Sequence, residues 1–332
     1  TAIALLGLLL TACGESTETT PPEPTDGKVD AALVKAPEPP SAPEKTVNGK
    51  QPVRVTEGTN LSFALSPDKQ TIVMSLQGVL FSMPASGGEA TALTGYYHDA
   101  REPAWTPDGS LIVFHGYRSG NWDLWSLPAA GGDPLPLTTD AFDDREAHVS
   151  PQGGKIAFSS DRSGNYDIWL LSMADGSLTQ VTDTPENESG PAFSPDGMEL
   201  AYAALLEDGE SELRTTNLIT GTPSTLASEP GVISGVSWHP DGNMLTYQSA
   251  VPGNTSLRVL TPGSQSPASQ ALSRSTDDVF PFRSSWADTE TMFYAANGGI
   301  IRRSGDGIST RVPFEITFEL DRTPYERRRR DH

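Results

Sequence analysis

Trp105-Thr106-Pro107-Asp108-Gly109 is the clearest copy of a short pattern that recurs along this chain. The other copies are Leu65-Ser66-Pro67-Asp68, Val149-Ser150-Pro151-Gln152-Gly153, Phe193-Ser194-Pro195-Asp196-Gly197 and Trp238-His239-Pro240-Asp241-Gly242. Their prolines lie 40, 44, 44 and 45 residues apart. A sixth, degenerate copy is Ser285-Trp286-Ala287-Asp288. A nearly fixed period of this size indicates a repeat architecture.

Each repeat has the pattern of four short β-strands joined by tight turns. An apolar run such as residues 111–114 follows the Pro-Asp-Gly turn, and a second run such as residues 122–125 comes after a polar turn. Pro fixes φ and Gly accepts a positive φ, so Pro-Asp-Gly predicts the hairpin between the first two strands, with its Asp as a turn residue. Residues 161–169 (DRSGNYDIW) nearly repeat residues 117–125 (YRSGNWDLW), which predicts the next turn.

These residues resemble the TolB-like, WD-type propeller repeat, over most of residues 52–313. Together with the repeat length, the resemblance implies an all-β fold, a six-bladed β-propeller of four-stranded antiparallel blades over residues 51–313. Members of such a family share a fold while differing in activity, so architecture is implied more firmly than function. Residues 52–56 and residues 308–312 compete for the outer strand of the last blade, or one of the two belongs to a further blade beyond His332.

The chain starts with an apolar run that stops at Leu10-Thr11-Ala12-Cys13. This run is too short to span a bilayer, and residues 1–12 are interpreted as a signal peptide with a truncated start. Leu-Thr-Ala-Cys resembles the lipobox of bacterial lipoproteins, which implies lipidation of Cys13. The implied location is the bacterial cell envelope, lipid-anchored and facing the periplasm. The outer membrane is favoured because Gly14 stands where an inner-membrane signal has Asp.

The segments on either side of the repeats have different compositions. Residues 13–50 are rich in Pro and Glu and contain no aromatic residue, so they cannot bury enough apolar surface to offset their conformational entropy. They are predicted to form a disordered tether. Residues 314–332 begin with strand-like alternation and end in four arginines, 327–330, which indicates a strand plus a basic linker that leads into further sequence.

Charge and composition exclude several classes of function. The chain has 23 Lys and Arg against 43 Asp and Glu, a net charge of −20, which argues against nucleic acid as a partner and leaves the lipid as the only contact with a membrane. A single cysteine excludes a disulfide framework. The chain lacks Gly-x-Ser-x-Gly, His-x-His and His-Glu-x-x-His, so we expect no catalytic residue, no metal and no cofactor within these residues.

A polar rim is predicted where the chain enters the innermost strand of each blade. An Arg-Glu pair recurs there at the same phase in two successive repeats. We expect this rim, with Tyr96, Tyr97, Trp122 and Tyr166 near it, to bind a protein, a peptide or a cationic group. The alternative is that its charges only solvate loops and pair with each other. The candidate residues are His98, Asp99, Arg101, Glu102, Arg118, Asp143, Asp144, Arg145, Glu146, Arg162, Glu186, Glu188, Asp277 and Asp278.

Two functions remain open at this point. The first is a non-catalytic lipoprotein propeller that binds a protein or peptide, or acts as a scaffold, at the cell envelope. The second is the N-terminal propeller of a larger metal-dependent amidohydrolase or peptidase. Residues 312–331 look similar to the junction between TolB-like repeats and an amidohydrolase domain, and the metal ligands would then lie downstream of His332.

Overall fold

Every regular element in the described part of the chain is a β-strand, which confirms the all-β prediction. The computed structural model describes residues 50–95, 98–118, 120–263 and 269–321. The predictions for Cys13, for the signal peptide, for most of the tether, for Tyr96 and Tyr97 and for the four arginines at 327–330 lie outside these residues. Within them, no helix has the length and apolar character that crossing a membrane requires.

The described strands form six antiparallel sheets of four strands each, in chain order from the innermost strand outward, and one sheet of three strands. The first sheet has β2 (Ser62–Leu65), β3 (Thr71–Leu76), β4 (Val79–Pro84) and β6 (Thr91–Ala92). The second and third have β7 (Arg101–Trp105), β8 (Leu111–Tyr117), β9 (Trp122–Pro128) and β10 (Leu135–Pro136), then β11 (Asp144–Val149), β12 (Lys155–Ser160), β13 (Asp167–Ser172) and β14 (Leu178–Gln180). The fourth has β15 (Asn187–Phe193), β16 (Glu199–Leu205), β17 (Ser211–Asn217) and β18 (Pro223–Glu229). The fifth and sixth have β19 (Val232–Trp238), β20 (Leu245–Val251), β21 (Asn254–Leu260) and β22 (Gln270–Ala271), then β23 (Ser285–Trp286), β24 (Met292–Ala296), β25 (Gly299–Arg303) and β26 (Ser309–Val312).

The Pro-Asp-Gly element is the hairpin between the first two strands of a sheet, as predicted. In the second sheet the hydroxyl of Thr106 donates to Asp108 Oδ1 at 2.6 Å, and the amide of Ser110 donates to the same oxygen at 3.1 Å. These hydrogen bonds hold the pKa of Asp108 below its usual range. Gly109 has a φ of 70°, which few other residues would adopt. The aspartate therefore closes a turn.

The core lies between successive sheets. One apolar cluster joins Val113 and Leu124 of the second sheet to Ile156 and Phe158 of the third. Another joins Phe63 of the first sheet to residues of the sixth. Each sheet thus buries its apolar faces against its neighbours, and the sixth sheet packs on the first.

The remaining three strands join the two ends of the repeat region. They are β1 (Lys50–Val55), β5 (Gly88–Glu89) and β27 (Phe314–Asp321). β27 pairs with β1 in antiparallel and with β5 in parallel orientation. Of the two candidates for the outer strand of the last repeat, Ser309–Val312 holds that position, whereas residues 52–55 pair with β27 instead.

Candidate functional site

In β7 and β11 a β-bulge begins directly after the arginine of the Arg-Glu pair, so the arginine is paired with the next strand and the glutamate lies within the bulge. The strand pairing slips between Arg101 and Ala104 in β7 and between Arg145 and His148 in β11. Within the bulges, Glu102 and Glu146 have positive φ values of 46° and 58°. A bulge re-aims a side chain. The two glutamates consequently turn toward the central channel, whereas both arginines lie at the end of the molecule where their strands begin.

An arginine that the sequence analysis missed spans the channel. The guanidinium group of Arg283 donates to the carbonyl oxygens of Val236 at 3.1 Å, Ala147 at 3.3 Å and Pro191 at 2.7 Å. These acceptors belong to three different innermost strands. The signal for Arg283 was its phase, because it stands three residues before Trp286 just as Glu102 stands three before Trp105.

The ionisable groups of the channel are largely enclosed by protein. Burial raises the pKa of Glu102 to about 8, and the charge of Glu146 adds to this effect, while Arg283 opposes it. Burial also raises the pKa of Glu146. Burial and the charge of Arg283 hold the pKa of His148 well below its usual value. His148 Nδ1 accepts a hydrogen bond from the amide of Phe193 at 3.0 Å, so the ring is neutral and fixed.

A cavity of about 320 Å³ lies along this channel. Glu102, His148 and Arg283 line it together with the tryptophans of three innermost strands, Trp105, Trp238 and Trp286. Two of the indole nitrogens each donate to a carbonyl oxygen of the preceding innermost strand: Trp105 to Ala64 at 3.2 Å, and Trp238 to Ala192 at 3.1 Å. These tryptophans therefore hold neighbouring sheets together as well as lining the cavity.

Arginine and aromatic side chains meet at the end of the molecule where β7, β11 and β15 begin, which we call the Trp122 face. The guanidinium carbons of Arg101 and Arg145 lie 4.8 and 5.3 Å from the ring centroid of Trp122. The ring of Tyr117 is 5.4 Å from that of Trp122, and Arg145 also lies 5.6 Å from the ring of Tyr166. These five residues form the Trp122 cluster.

Each arginine of the Trp122 cluster has one carboxylate partner two residues before it. Arg101 pairs with Asp99 at 3.1 Å, and Arg145 pairs with Asp143. Burial acts to raise the pKa of Asp143, but hydrogen bonds from the Trp122 amide and from Arg145 outweigh it, so the pKa is lowered. The carboxylate of Asp143 is therefore ionised at neutral pH, and both arginines keep a partly exposed side chain.

An apolar groove adjoins the Trp122 cluster. It has a volume of about 210 Å³, and its lining includes Arg145, Tyr166, Leu205, Val232 and Ile233. Leu205 is 39% exposed and Val232 is 50% exposed, although both are aliphatic. A guanidinium group thus stands at the edge of an open apolar surface, which is the composition of a protein-binding site.

Two residues that the sequence analysis assigned to the rim are fully buried, so that assignment was wrong for them. Asp144 pairs with Arg162 at 2.7 Å and has no exposed surface. Glu188 accepts a hydrogen bond from Thr184 at 2.9 Å and is equally buried. Both belong to innermost strands, and each has partners in the connection that precedes its strand and in an arginine of the same repeat. Burial raises the pKa of each.

The remaining predicted residues occupy separate places. Arg214, another residue that the sequence analysis missed, lies 3.4 Å from Glu186. Asp277 accepts a hydrogen bond from the side-chain amide of Asn297 at 3.0 Å, and the amide of Asp278 donates to the same side chain. His98 packs against Trp125 with ring centroids 5.5 Å apart, and Arg118 lies over the same ring. In the described residues, no three His, Cys, Asp or Glu side chains are grouped as a metal site requires.

Comparisons with known proteins agree with this geometry. The family described as "TolB beta propeller domain" matches residues 45–190 and 147–270. Among solved structures, the putative TolB from Agrobacterium tumefaciens is 16% identical with a TM-score of 0.59, over 80% of this chain and 91% of that chain. The tricorn protease is 12% identical with a TM-score of 0.61, over 77% of this chain and 26% of that chain. A chain of the nidogen/laminin complex is 13% identical with a TM-score of 0.59, over 81% of this chain and all of that chain. At these identities the structural likenesses show the fold alone. A comparison with curated proteins gave no match.

Proposed function

The chain belongs to the family of TolB β-propeller domains, and on that premise we propose that it is a non-catalytic module that binds a protein or peptide through its Trp122 face. We also propose that it has six blades. Six four-stranded sheets in the described residues, the sixth packed on the first, support that number.

The observation that carries the proposal is the Trp122 cluster. Aromatic residues and arginine are the residue types that contribute most to binding energy at protein interfaces. Here two guanidinium groups lie over one indole ring and remain partly exposed, beside the groove lined by Leu205 and Val232. The fold itself accommodates protein partners elsewhere, since one structurally similar chain was solved in the nidogen/laminin complex.

The proposed setting is the bacterial cell envelope. In this proposal residues 1–12 are a signal peptide, Cys13 carries the lipid, residues 13–50 are the tether, residues 51–313 are the propeller, and residues 314–332 are a strand plus a linker. The support is the lipobox-like sequence before Cys13 and the composition of the tether. The mass of the N-terminal peptide, isolated from a membrane fraction, tests the lipid directly.

Affinity capture with a charge-matched control tests the binding proposal. We expect the double variant Arg101→Gln and Arg145→Gln to lose a partner that the unchanged protein captures from a cell-envelope extract. The control is Lys155→Gln with Arg302→Gln, which removes the same charge at the other end of the sheets, where β12 begins and β25 ends. If both double variants capture the partner equally well, the Trp122 face is not the binding surface.

A second candidate function is the propeller of a longer metal-dependent amidohydrolase or peptidase. The likeness to the tricorn protease, of which this chain matches only 26%, favours a propeller that serves a separate catalytic part. The reading frame on both sides of this sequence distinguishes the two candidates. A metal-ligand pattern such as His-x-His downstream would support the enzyme, and a frame that closes at residue 332 would contradict it.

A further inference from the structure

Residues 117–125 and 161–169 share the turn sequence Arg-Ser-Gly-Asn, and in the third repeat its arginine is fully satisfied. Arg162 Nε donates to the hydroxyl of Ser160 at 2.9 Å. Its terminal nitrogens reach Asp144 at 2.7 Å and Asp140 at 3.0 Å, and its guanidinium carbon lies 5.3 Å from the ring of Trp169. The side chain is only 10% exposed. Every face of this guanidinium group is therefore in use.

The second repeat places Arg118 in the same position without those partners. Its guanidinium carbon lies 5.5 Å from the ring of Trp125, the counterpart of Trp169. Counting back 44 residues, Ser160 corresponds to Gly116, Asp144 to Ala100 and Asp140 to Tyr96. None of these side chains carries a carboxylate. In the described residues Arg118 pairs with no acidic side chain, and it is exposed.

The difference extends to the residues around Arg118. A Cβ atom on Gly116 would lie only 2.6 Å from the carbonyl oxygen of His98, so a serine cannot stand there as it does at position 160. His98 Nδ1 and Trp125 Nε1 are buried, and neither has a hydrogen-bond partner in the described part of the chain. Because Trp169 Nε1 in the third repeat is equally unpartnered among the described residues, the features particular to the second repeat are the exposed guanidinium group of Arg118 and the unpartnered His98 Nδ1, on whose ring the charge of Arg118 acts.

We propose that Arg118 binds a carboxylate of the partner through its exposed guanidinium group, as Asp140 and Asp144 bind Arg162 in the next repeat. This inference rests on the proposed function, because it assigns one contact within the binding of a protein or peptide. The carboxylate belongs to an acidic side chain or to a chain terminus. Since the whole chain carries a net charge of −20, an acidic peptide gains no general attraction and must find a local cationic site.

The test uses the full chain, defined peptides and two charge-matched variants. The probes are fluorescent tetraglutamate with blocked ends, its tetraglutamine counterpart, and tetraglycine with a free C-terminal carboxylate, followed by anisotropy at about 0.15 M salt. We expect Arg118→Gln to weaken binding of the tetraglutamate at least about tenfold, because it removes a charge-assisted hydrogen bond. Arg302→Gln removes the same charge at an exposed site near the other end of the sheets and should leave binding unchanged. The tetraglutamine should not bind.

Ala100→Asp gives an independent readout because it supplies the missing carboxylate from within. The new side chain should pair with Arg118 and abolish tetraglutamate binding, with the fold checked by circular dichroism. If Ala100→Asp does not fold, Arg118→Gln still decides, since Arg118 is exposed and, in the described residues, no buried carboxylate depends on its charge. Binding of tetraglycine in place of tetraglutamate would assign the site to a chain terminus.

Two results would overturn the inference. One is equal binding of tetraglutamate to the unchanged protein and to Arg118→Gln, and the other is no binding of either carboxylate probe. Neither result would overturn the proposed function, which depends on capture through Arg101 and Arg145. Conversely, if the double variant Arg101→Gln and Arg145→Gln captures its partner normally, the proposed function fails. The titration with tetraglutamate then still decides by itself whether Arg118 binds a carboxylate.

Discussion

The second and third repeats carry the same Arg-Ser-Gly-Asn turn, yet only its asparagine makes the same contacts in both. The asparagines are equivalent: Asn121 donates to two carbonyl oxygens at 3.0 and 2.8 Å, and Asn165 donates to two at 2.9 and 2.7 Å. The arginines differ, because Arg162 has two carboxylate partners and Arg118 has none in the described residues. A repeated motif thus fixes the backbone, whereas the facing strand decides whether its arginine is structural or free.

Removing each arginine in turn should have the largest effect and shows directly whether the two positions differ. Arg162→Gln should lower the free energy of unfolding by about 3–5 kcal/mol, because it leaves the carboxylate of Asp144 buried without its charge partner. Arg118→Gln should stay within about 0.5 kcal/mol of the unchanged protein. Equilibrium unfolding in urea measures both. Similar losses for the two variants would show that Arg118 also supports the fold.

The buried glutamate of the second repeat should make the stability of the protein depend on pH. Because burial raises the pKa of Glu102 to about 8, the folded chain holds a proton that the unfolded chain releases above the ordinary pKa of glutamate. Stability from this group is therefore complete at low pH and is lost as the pH rises toward 8.

Glu102→Gln should remove this dependence, which for one proton is at most about 1.4 kcal/mol per pH unit. The slope is obtained by measuring the free energy of unfolding at several pH values between 5 and 8. Glu207→Gln, at an exposed turn after β16, is the control and should keep the slope of the unchanged protein. An unchanged slope in Glu102→Gln would mean that Glu102 is ionised in the channel.

The smallest effect is expected on the Trp122 face. Arg101→Gln and Arg145→Gln should each change the free energy of unfolding by less than about 1 kcal/mol, because partly exposed ion pairs contribute little to stability. Their side chains are 39% and 37% exposed. Thermal unfolding of both variants checks this, and a loss as large as that of Arg162→Gln would assign them a structural role instead.

The sequence was sufficient for the parts of the fold that depend on local chemistry. Pro-Asp-Gly and Arg-Ser-Gly-Asn specify turns through their own backbone preferences, so the strands and their order within each sheet followed from the pattern. The pairing of β1 with β27 could not be predicted, since it joins segments more than 250 residues apart. Nothing in either segment encodes its partner.

The site was less predictable because a bulge changes which way side chains point. Simple alternation along β11 cannot tell that Asp144 is buried, that Arg145 lies on the Trp122 face and that Glu146 turns into the channel. Arg283 escaped notice because its repeat is degenerate and has an arginine at the position where the second and third repeats have a glutamate. Residue type and repeat phase together locate candidates, but burial is decided by the neighbouring sheet.

Site-specific photocrosslinking tests directly whether the Trp122 face binds the partner. A photoreactive phenylalanine analogue replaces Tyr117 on this face or Ile219 at the other end of the sheets, both of which are exposed. With a cell-envelope extract, a discrete crosslinked product is expected from position 117 and not from position 219, and Arg145→Gln should suppress it. A product from position 219 alone, or one from position 117 that persists in Arg145→Gln, would contradict the account.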